Sequence, residues 1–171
     1  MAEQNTNPNL ANPALMASAK TSSAMVLTFH EILTKVNNAK DKAKKVEVLR
    51  QYDSPAFRQV LKGAFDPNIL WDLPKGPPPY IQNEAPLGTE HTYLDQEAKR
   101  LWHFVKGADM NLSKVKKETL FIQMLEGLHP TEATLLLNVV AKKLNNQYKG
   151  LTAAVVKEAF NWNDEFVKIE T

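Results

Sequence analysis

Apolar residues recur along this chain at i, i+3, i+4 and i+7, the spacing that puts them on one face of an α-helix. Most of these runs begin at a residue suited to cap one. Thr28-Phe29-His30-Glu31 has the form of a capping box, with threonine at the N-cap and glutamate three residues on. Phe29, Ile32, Leu33 and Val36 share its face, and Asn37-Asn38 closes the run. Asp41 opens a second helix, with Ala43, Val46, Leu49 and Tyr52 inward and Lys42, Lys44 and Lys45 outward. Ser54-Pro55 opens a third, a cap residue followed by proline at the first helical position, with Phe57, Val60, Leu61 and Ala64 inward. Asp66-Pro67 predicts a single helical turn reaching Trp71.

The stretch LPKGPPPYIQNEAPLGT comes next, with five prolines and two glycines. Proline lacks a backbone donor and disfavours helix in the residue before it, so residues 72–91 are expected to be an extended loop. One reading is a strap packed over its own domain, with Trp71 and Tyr80 as anchors. The other is a ligand for an aromatic-lined groove on a partner. Thr92 then caps a helix with Leu94, Ala98, Leu101, Trp102 and Val105 inward and Gly107 at its end. Ser113 caps another, with Phe121, Met124, Leu125 and Leu128 on one face. His129-Pro130 breaks it and starts the next, with Leu135, Leu136, Val139, Val140 and Leu144 inward. Thr152 starts the last, with Val155, Val156, Ala159 and Phe160 inward.

Strand signals are nearly absent, since no period-two segment is bounded by a hairpin turn. The expected fold is all-α: a compact orthogonal bundle of about seven short helices over residues 27–162, crossed by the proline-rich strap. Residues 1–26 are rich in Asn, Ala and Ser and have no helical period, so a disordered N-terminal arm is expected. Met25 precedes the first good helix start, which suggests an alternative translation start there. Residues 163–171 form an acidic tail, expected to fray.

At 171 residues the chain can build one domain with a sizeable core. Its 43% hydrophobic and 23% charged residues are ordinary for a soluble globular protein. The absence of cysteine excludes disulfides and thiolate chemistry. No apolar run approaches the roughly 18 residues of a membrane helix, and the N-terminus lacks a signal peptide's charged and apolar regions. No membrane association and an intracellular location are therefore expected. The net charge of +2 conceals an uneven distribution. Residues 28–64 and 113–157 each carry a net +4, while 65–92 and 158–171 each carry −3. Such alternation says more about partners than the total does.

Candidate chemistry is sparse. None of His30, His91, His103 and His129 has a second ligand at metal spacing, and Glu90-His91 lacks the second histidine of a zinc-protease helix. The phosphate-cradling and nucleophile-elbow glycine motifs are absent. Asp164-Glu165 lies in the tail, where solvation explains it better than acid–base work. No enzyme activity, cofactor or metal is expected. The lysines remain. Lys40, Lys42, Lys44 and Lys45 form the densest cluster, although Asp41 and Glu47 among them allow intrahelical pairing. Lys114, Lys116 and Lys117 stand in a first helical turn, where positive charge opposes the macrodipole, so a use elsewhere is suggested. Lys142 and Lys143 end a helix, where the dipole favours them. A solvated face explains each cluster singly. Together with Lys149 they make nucleic acid a credible partner.

The segment NVVAKKLNNQYKGLTAAVVKEAF resembles the C-terminal part of the N-terminal DNA-binding domain of phage ATP-dependent DNA ligases. The shared elements are a basic residue then leucine at a helix end, a glycine-containing loop and a short helix; here they read VVAKKL, KGLT and VVKEAFNW. ILTKVNNAKDKAKKVEVLRQYDSPAFRQVLKGAFDP is similar to that domain's opening, and the likeness runs in order over about residues 28–162. The whole chain also resembles small proteins of unassigned function from large tailed phages, notably those infecting marine cyanobacteria. The ligase resemblance implies an all-helical module that grips duplex DNA by its backbone. Lys142 matches the basic residue before Leu144, Gly150 the loop glycine, and Lys40 to Lys45 the basic break. Three departures stand out. The loop before Gly150 is longer, the proline-rich strap has a different shape, and the nucleotidyl-accepting K-x-D-G motif is absent.

The leading expectation is thus a non-catalytic module contacting double-stranded DNA phosphates through Lys40, Lys42, Lys44, Lys45, Lys114, Lys116, Lys117, Lys142, Lys143 and Lys149, with Gly150 shaping the last turn. It would work in the cytoplasm of a phage host. The alternative is a virion structural or protein-interaction module, docking through the proline-rich loop, the N-terminal arm or the acidic tail. A third reading is an inhibitor or adaptor of a host enzyme.

Overall fold

The computed structural model describes residues 27–86 and 92–169. The N-terminal arm, the alternative start and His91 fall outside the described residues. Local signals convert directly into helices. Thr28 and Glu31 form the capping box of α1 (Phe29–Asn38), each side chain meeting the other's backbone amide. Asp41 caps α2 (Lys42–Gln51), Ser54 caps α3 (Pro55–Phe65), Ser113 caps α5 (Lys114–Gly127) and Thr152 caps α8 (Ala153–Phe160). His129 caps α6 (Pro130–Val140) through its ring nitrogen. The remaining helices are short: α4 (Leu94–Glu97), a 3₁₀ helix (Ala98–Phe104) and α7 (Leu144–Gln147). Among the described residues there is no strand, only the isolated bridges Trp71 to Val105 and Trp162 to Lys168.

Helices α3 and α6 pack on each other and join two groups. On α3 also lie α8, α4 and the 3₁₀ helix; on α6 lie α1, α5 and α7; α2 packs on α1 and α8. Phe57 on α3 is fully buried and meets Phe29 and Phe160 at ring-centroid distances of 5.0 and 6.4 Å. Side chains such as Leu33, Leu49, Leu61, Leu125, Leu135 and Val156 complete one continuous core. Each such aliphatic residue stabilises the fold by roughly 1.5–3 kcal/mol through burial.

One carboxylate organises this core. Glu132, in the first turn of α6, is 1% exposed. Its Oε2 accepts from the Phe29 amide at 3.3 Å and its Oε1 from the Leu94 amide at 3.0 Å. Those are the first amides of α1 and α4. The negative charge therefore sits where three helix N-termini present their partial positive charge.

Four expectations need correction. The segment after Asp66 forms a turn at Pro67-Asn68 and then extends, instead of making a helical turn to Trp71. There Asp72 N donates to Phe104 O and Lys106 N to Leu70 O, both at 2.7 Å, pairings with distant chain that sequence spacing cannot reveal. The helix expected from Thr92 becomes 3₁₀ after four residues, and its side chain Oγ1 bonds Glu97 without capping it. With three residues per turn, Ala98, Leu101 and Phe104 point inward and Trp102 is turned out to 44% exposure. Ala43 is exposed, because α2 buries only Val46 and Leu49. Residues 163–169 do not fray. Asn161 adopts a left-handed conformation (φ 57°), Ile169 N donates to Asn161 O at 2.8 Å, and Phe166 is buried against Trp162.

The strap behaves as a packed cover. The Trp71 indole donates to Gly63 O at 3.1 Å, and Trp71 and Tyr80 pack against the core. A side chain at Gly63 would lie 2.7 Å from Trp71 Cζ2, so glycine is what lets the indole settle on α3. Ile81 N donates to Glu126 and Asn83 to Gly127 O, tying the strap to the end of α5.

Candidate functional site

The α7–α8 loop and the C-terminal end of α1 meet directly. Gly150 N donates to Asn37 Oδ1 at 2.7 Å. A Cβ on Gly150 would stand 2.7 Å from Lys45 Cε and 3.3 Å from Asn37 O. Gly150 shapes this turn by permitting the close approach of Lys45 and Asn37, and its φ is not positive. Lys142 instead takes the left-handed conformation (φ 60°) that ends α6. The helix predicted to run from Leu135 to Leu144 therefore stops at Val140, and α7 starts afresh.

This junction brings the Lys40–Lys45 cluster together with Lys149. Lys40, Lys42 and Lys44 lie exposed on one strand of it and Lys149 on the other. Lys42 pairs with Glu158 at 3.0 Å and Lys44 with Glu47 at 3.9 Å, all four side chains more than half exposed. Such pairs contribute little and yield readily to a competing anion. Lys40 and Lys149 have no ion-pair partner among the described residues. Lys45 departs from the outer face expected of it: its ammonium turns back to donate to Ala39 O at 2.8 Å, and its stem covers Gly150.

The other clusters gather around the strap. Lys117 is buried, not solvated, and its Nζ lies 2.8 Å from Asp72 Oδ2, with Lys114 3.9 Å from Oδ1. The Lys117 hydrogen bond holds the Asp72 carboxyl below the usual carboxylate range. This explains one lysine placed against the α5 dipole, since Lys117 holds the strap's aspartate, while Lys114 is an exposed and weak partner of it. Only Lys116 is left exposed without an ion-pair partner among the described residues. Lys142 is likewise committed inward. Its ammonium donates to Gly63 O at 2.6 Å and Asp66 O at 2.8 Å, at the carbonyl end of α3. Burial lowers its pKa, and the Asp66 charge partly offsets this. Neighbouring Lys143 is exposed.

Lys142 and Lys143, with Lys75, line a groove of about 690 Å³ between strap and bundle. Trp71, Leu73, Pro74 and Pro77 form one wall, and Phe121, Leu137 and Val140 the other. The candidate lysines thus divide: Lys40, Lys42, Lys44, Lys45 and Lys149 lie about the Asn37–Gly150 junction, Lys142 and Lys143 line the strap groove, Lys114 and Lys117 approach Asp72, and Lys116 stands apart.

The described histidines serve structure. His30 Nδ1 lies 2.6 Å from the Tyr148 hydroxyl. Burial lowers the His30 pKa, Glu31 raises it, and nearby His129 lowers it again. Burial, then the Glu132 charge, pushes the Tyr148 hydroxyl well above its ordinary range, so it stays protonated and donates to neutral His30. No group of three or more His, Asp or Glu among the described residues could hold a metal ion, and no described helix is long and apolar enough to cross a membrane. Glu132, Tyr148 and Asp72 carry no local signal of their roles, because their partners lie at least 38 residues away.

A family model described as "Family of unknown function (DUF6433)" matches residues 32–146. No curated protein and no solved structure matches the chain.

Proposed function

The chain belongs to that family of unknown function, and we propose that it is a non-catalytic module that binds the phosphate backbone of double-stranded DNA. One observation carries this reading: the Asn37–Gly150 contact joins the loop bearing exposed Lys149 to the end of α1, next to exposed Lys40 and to Lys42 and Lys44 in the first turn of α2, with two of the four unpaired among the described residues. Exposed, flexible ammonium groups suit phosphate as point charges and carry no base preference. Lys143 and Lys116 would add outlying contacts, while Lys45, Lys117 and Lys142 hold the surface in shape. The resemblance to phage ligase DNA-binding domains, which includes this loop, points the same way and suggests a phage protein acting in its host's cytoplasm.

Fluorescence anisotropy of a labelled duplex across a salt series tests it. Log affinity is expected to fall linearly with log salt, by about 0.9 per phosphate neutralised. Absence of duplex binding at low salt would sink the proposal. The strap groove supports a second reading, a protein-interaction or virion module. Mass spectrometry that found the protein in purified virions, coupled with no DNA binding, would favour it.

A further inference from the structure

The 3₁₀ helix displays an aromatic that the fold leaves outside. Trp102 is 44% exposed, and its ring stacks on that of His103 with centroids 3.9 Å apart and planes 30° apart. The imidazole is itself held: His103 Nδ1 donates to Asp109 Oδ2 at 2.8 Å. Asp109 Oδ1 in turn accepts from Asn111 N at 3.1 Å. The His103 hydrogen bond keeps the Asp109 carboxyl below the usual range, so it remains an acceptor at neutral pH. The indole is therefore backed by a fixed ring.

Cations surround this platform. At three residues per turn, Lys99 and Trp102 fall on one ridge and Arg100 and His103 on the next, with Lys106 just beyond. Lys99 and Lys106 are exposed without an ion-pair partner among the described residues, and Arg100 is half exposed beside Glu97. Glu97, at the end of α4, pairs with Arg100 at 3.0 Å, and Asp95 lies in the same short helix.

We propose that Trp102, backed by His103, is a stacking platform for an unpaired base of single-stranded DNA, with Lys99, Arg100 and Lys106 on the adjoining phosphates. A duplex keeps its bases stacked inside, so an indole face gains nothing from it. A single strand offers both a π-face and a backbone charge within one nucleotide, and aromatic–cation surfaces bind it without sequence preference. The proposal extends the DNA-binding reading but does not require duplex binding at the junction, and the two are separable.

The test uses the full chain with labelled (dT)12 and a labelled 12-base-pair duplex. Trp102→Ala is expected to weaken (dT)12 binding by roughly 5- to 150-fold, the range for losing one base–aromatic stack. Duplex affinity should change less than twofold. Trp102→Phe should restore most of the (dT)12 affinity while losing the quenching of intrinsic tryptophan fluorescence that (dT)12 causes in the parent. Far-UV circular dichroism confirms that the variants fold. If the duplex never binds but the (dT)12 pattern holds, the platform stands and the junction proposal falls. Parent protein that does not bind (dT)12, Trp102→Ala within twofold of the parent, or equal losses on both ligands would overturn the platform. A protein partner at Trp102 would give the second of these.

Discussion

Replacing Glu132 with glutamine changes one oxygen to an NH₂ group and little else. In the parent each carboxylate oxygen accepts from one amide, Leu94 N at 3.0 Å and Phe29 N at 3.3 Å, at a site 1% exposed. Glutamine has a single oxygen, so its NH₂ must face one of the two N–H groups. One buried donor is then left unsatisfied, at about 1–3 kcal/mol, and the other bond loses its charge assistance. The negative charge at three converging helix N-termini is lost as well, worth about 0.3–1 kcal/mol per helix end. Together Glu132→Gln should destabilise by about 2–6 kcal/mol. Glu132→Ala removes both acceptors and leaves a void, so it should cost more than the glutamine variant and a large share of the roughly 5–15 kcal/mol that holds a domain folded. Urea denaturation followed by circular dichroism measures both. Hydrogen exchange gives a local check: α4 has four residues and no side-chain cap, so its Leu94 amide should lose the most protection. A Glu132→Gln variant within 0.5 kcal/mol of the parent would refute the idea that this carboxylate ties the helices together.

Further outcomes follow from the same contacts. His30 has a folded pKa below its unfolded value of 6.5, so its contribution is fully present above that pH and is lost as pH falls through it. The urea midpoint should therefore drop between pH 7 and 5, where Asp72 and Asp109 are still ionised in both states, and His30→Gln should flatten that drop. Lys142→Met should cost about 1–3 kcal/mol of stability, because the carbonyls of Gly63 and Asp66 lose their charged donor. Lys143→Met should leave stability unchanged, and equal losses in the two variants would contradict the inward role of Lys142. Phe166→Ala should cost about 3–5 kcal/mol if the tail is an integral part of the core, whereas a frayed tail would show no change in a urea melt.

Helix starts were legible because they are local. Thr28 with Glu31, Asp41, Ser54, Ser113 and Thr152 each cap within three residues of themselves, so sequence alone reveals them. Failures occurred where distant chain decides. The 3₁₀ twist that turns Trp102 out and Phe104 in adjoins the pairing of residues 70–72 with 104–106, which no helical period encodes. Glu132 reads as an ordinary first-turn acid, favourable at its own helix, and nothing nearby announces Phe29 and Leu94. Phe166 stood among acids and was assigned to the tail, although an aromatic four residues after Trp162 could have signalled a folded return. The lysine clusters were visible as charge, but their division was not. Lys117 and Lys142 look no different in sequence from Lys116 and Lys143, and only their partners separate internal struts from exposed cations.

The claim that the Asn37–Gly150 junction binds DNA phosphates is tested most directly by the salt slope of duplex binding in three variants. Lys40→Glu and Lys149→Glu should each weaken binding at low salt and make the slope shallower by about one phosphate's worth, roughly 0.9. Lys168→Glu, an equal charge change at an exposed tail position, should leave the slope unaltered. Identical slopes in all three, or equal loss of affinity from Lys168→Glu, would contradict a binding surface at the junction.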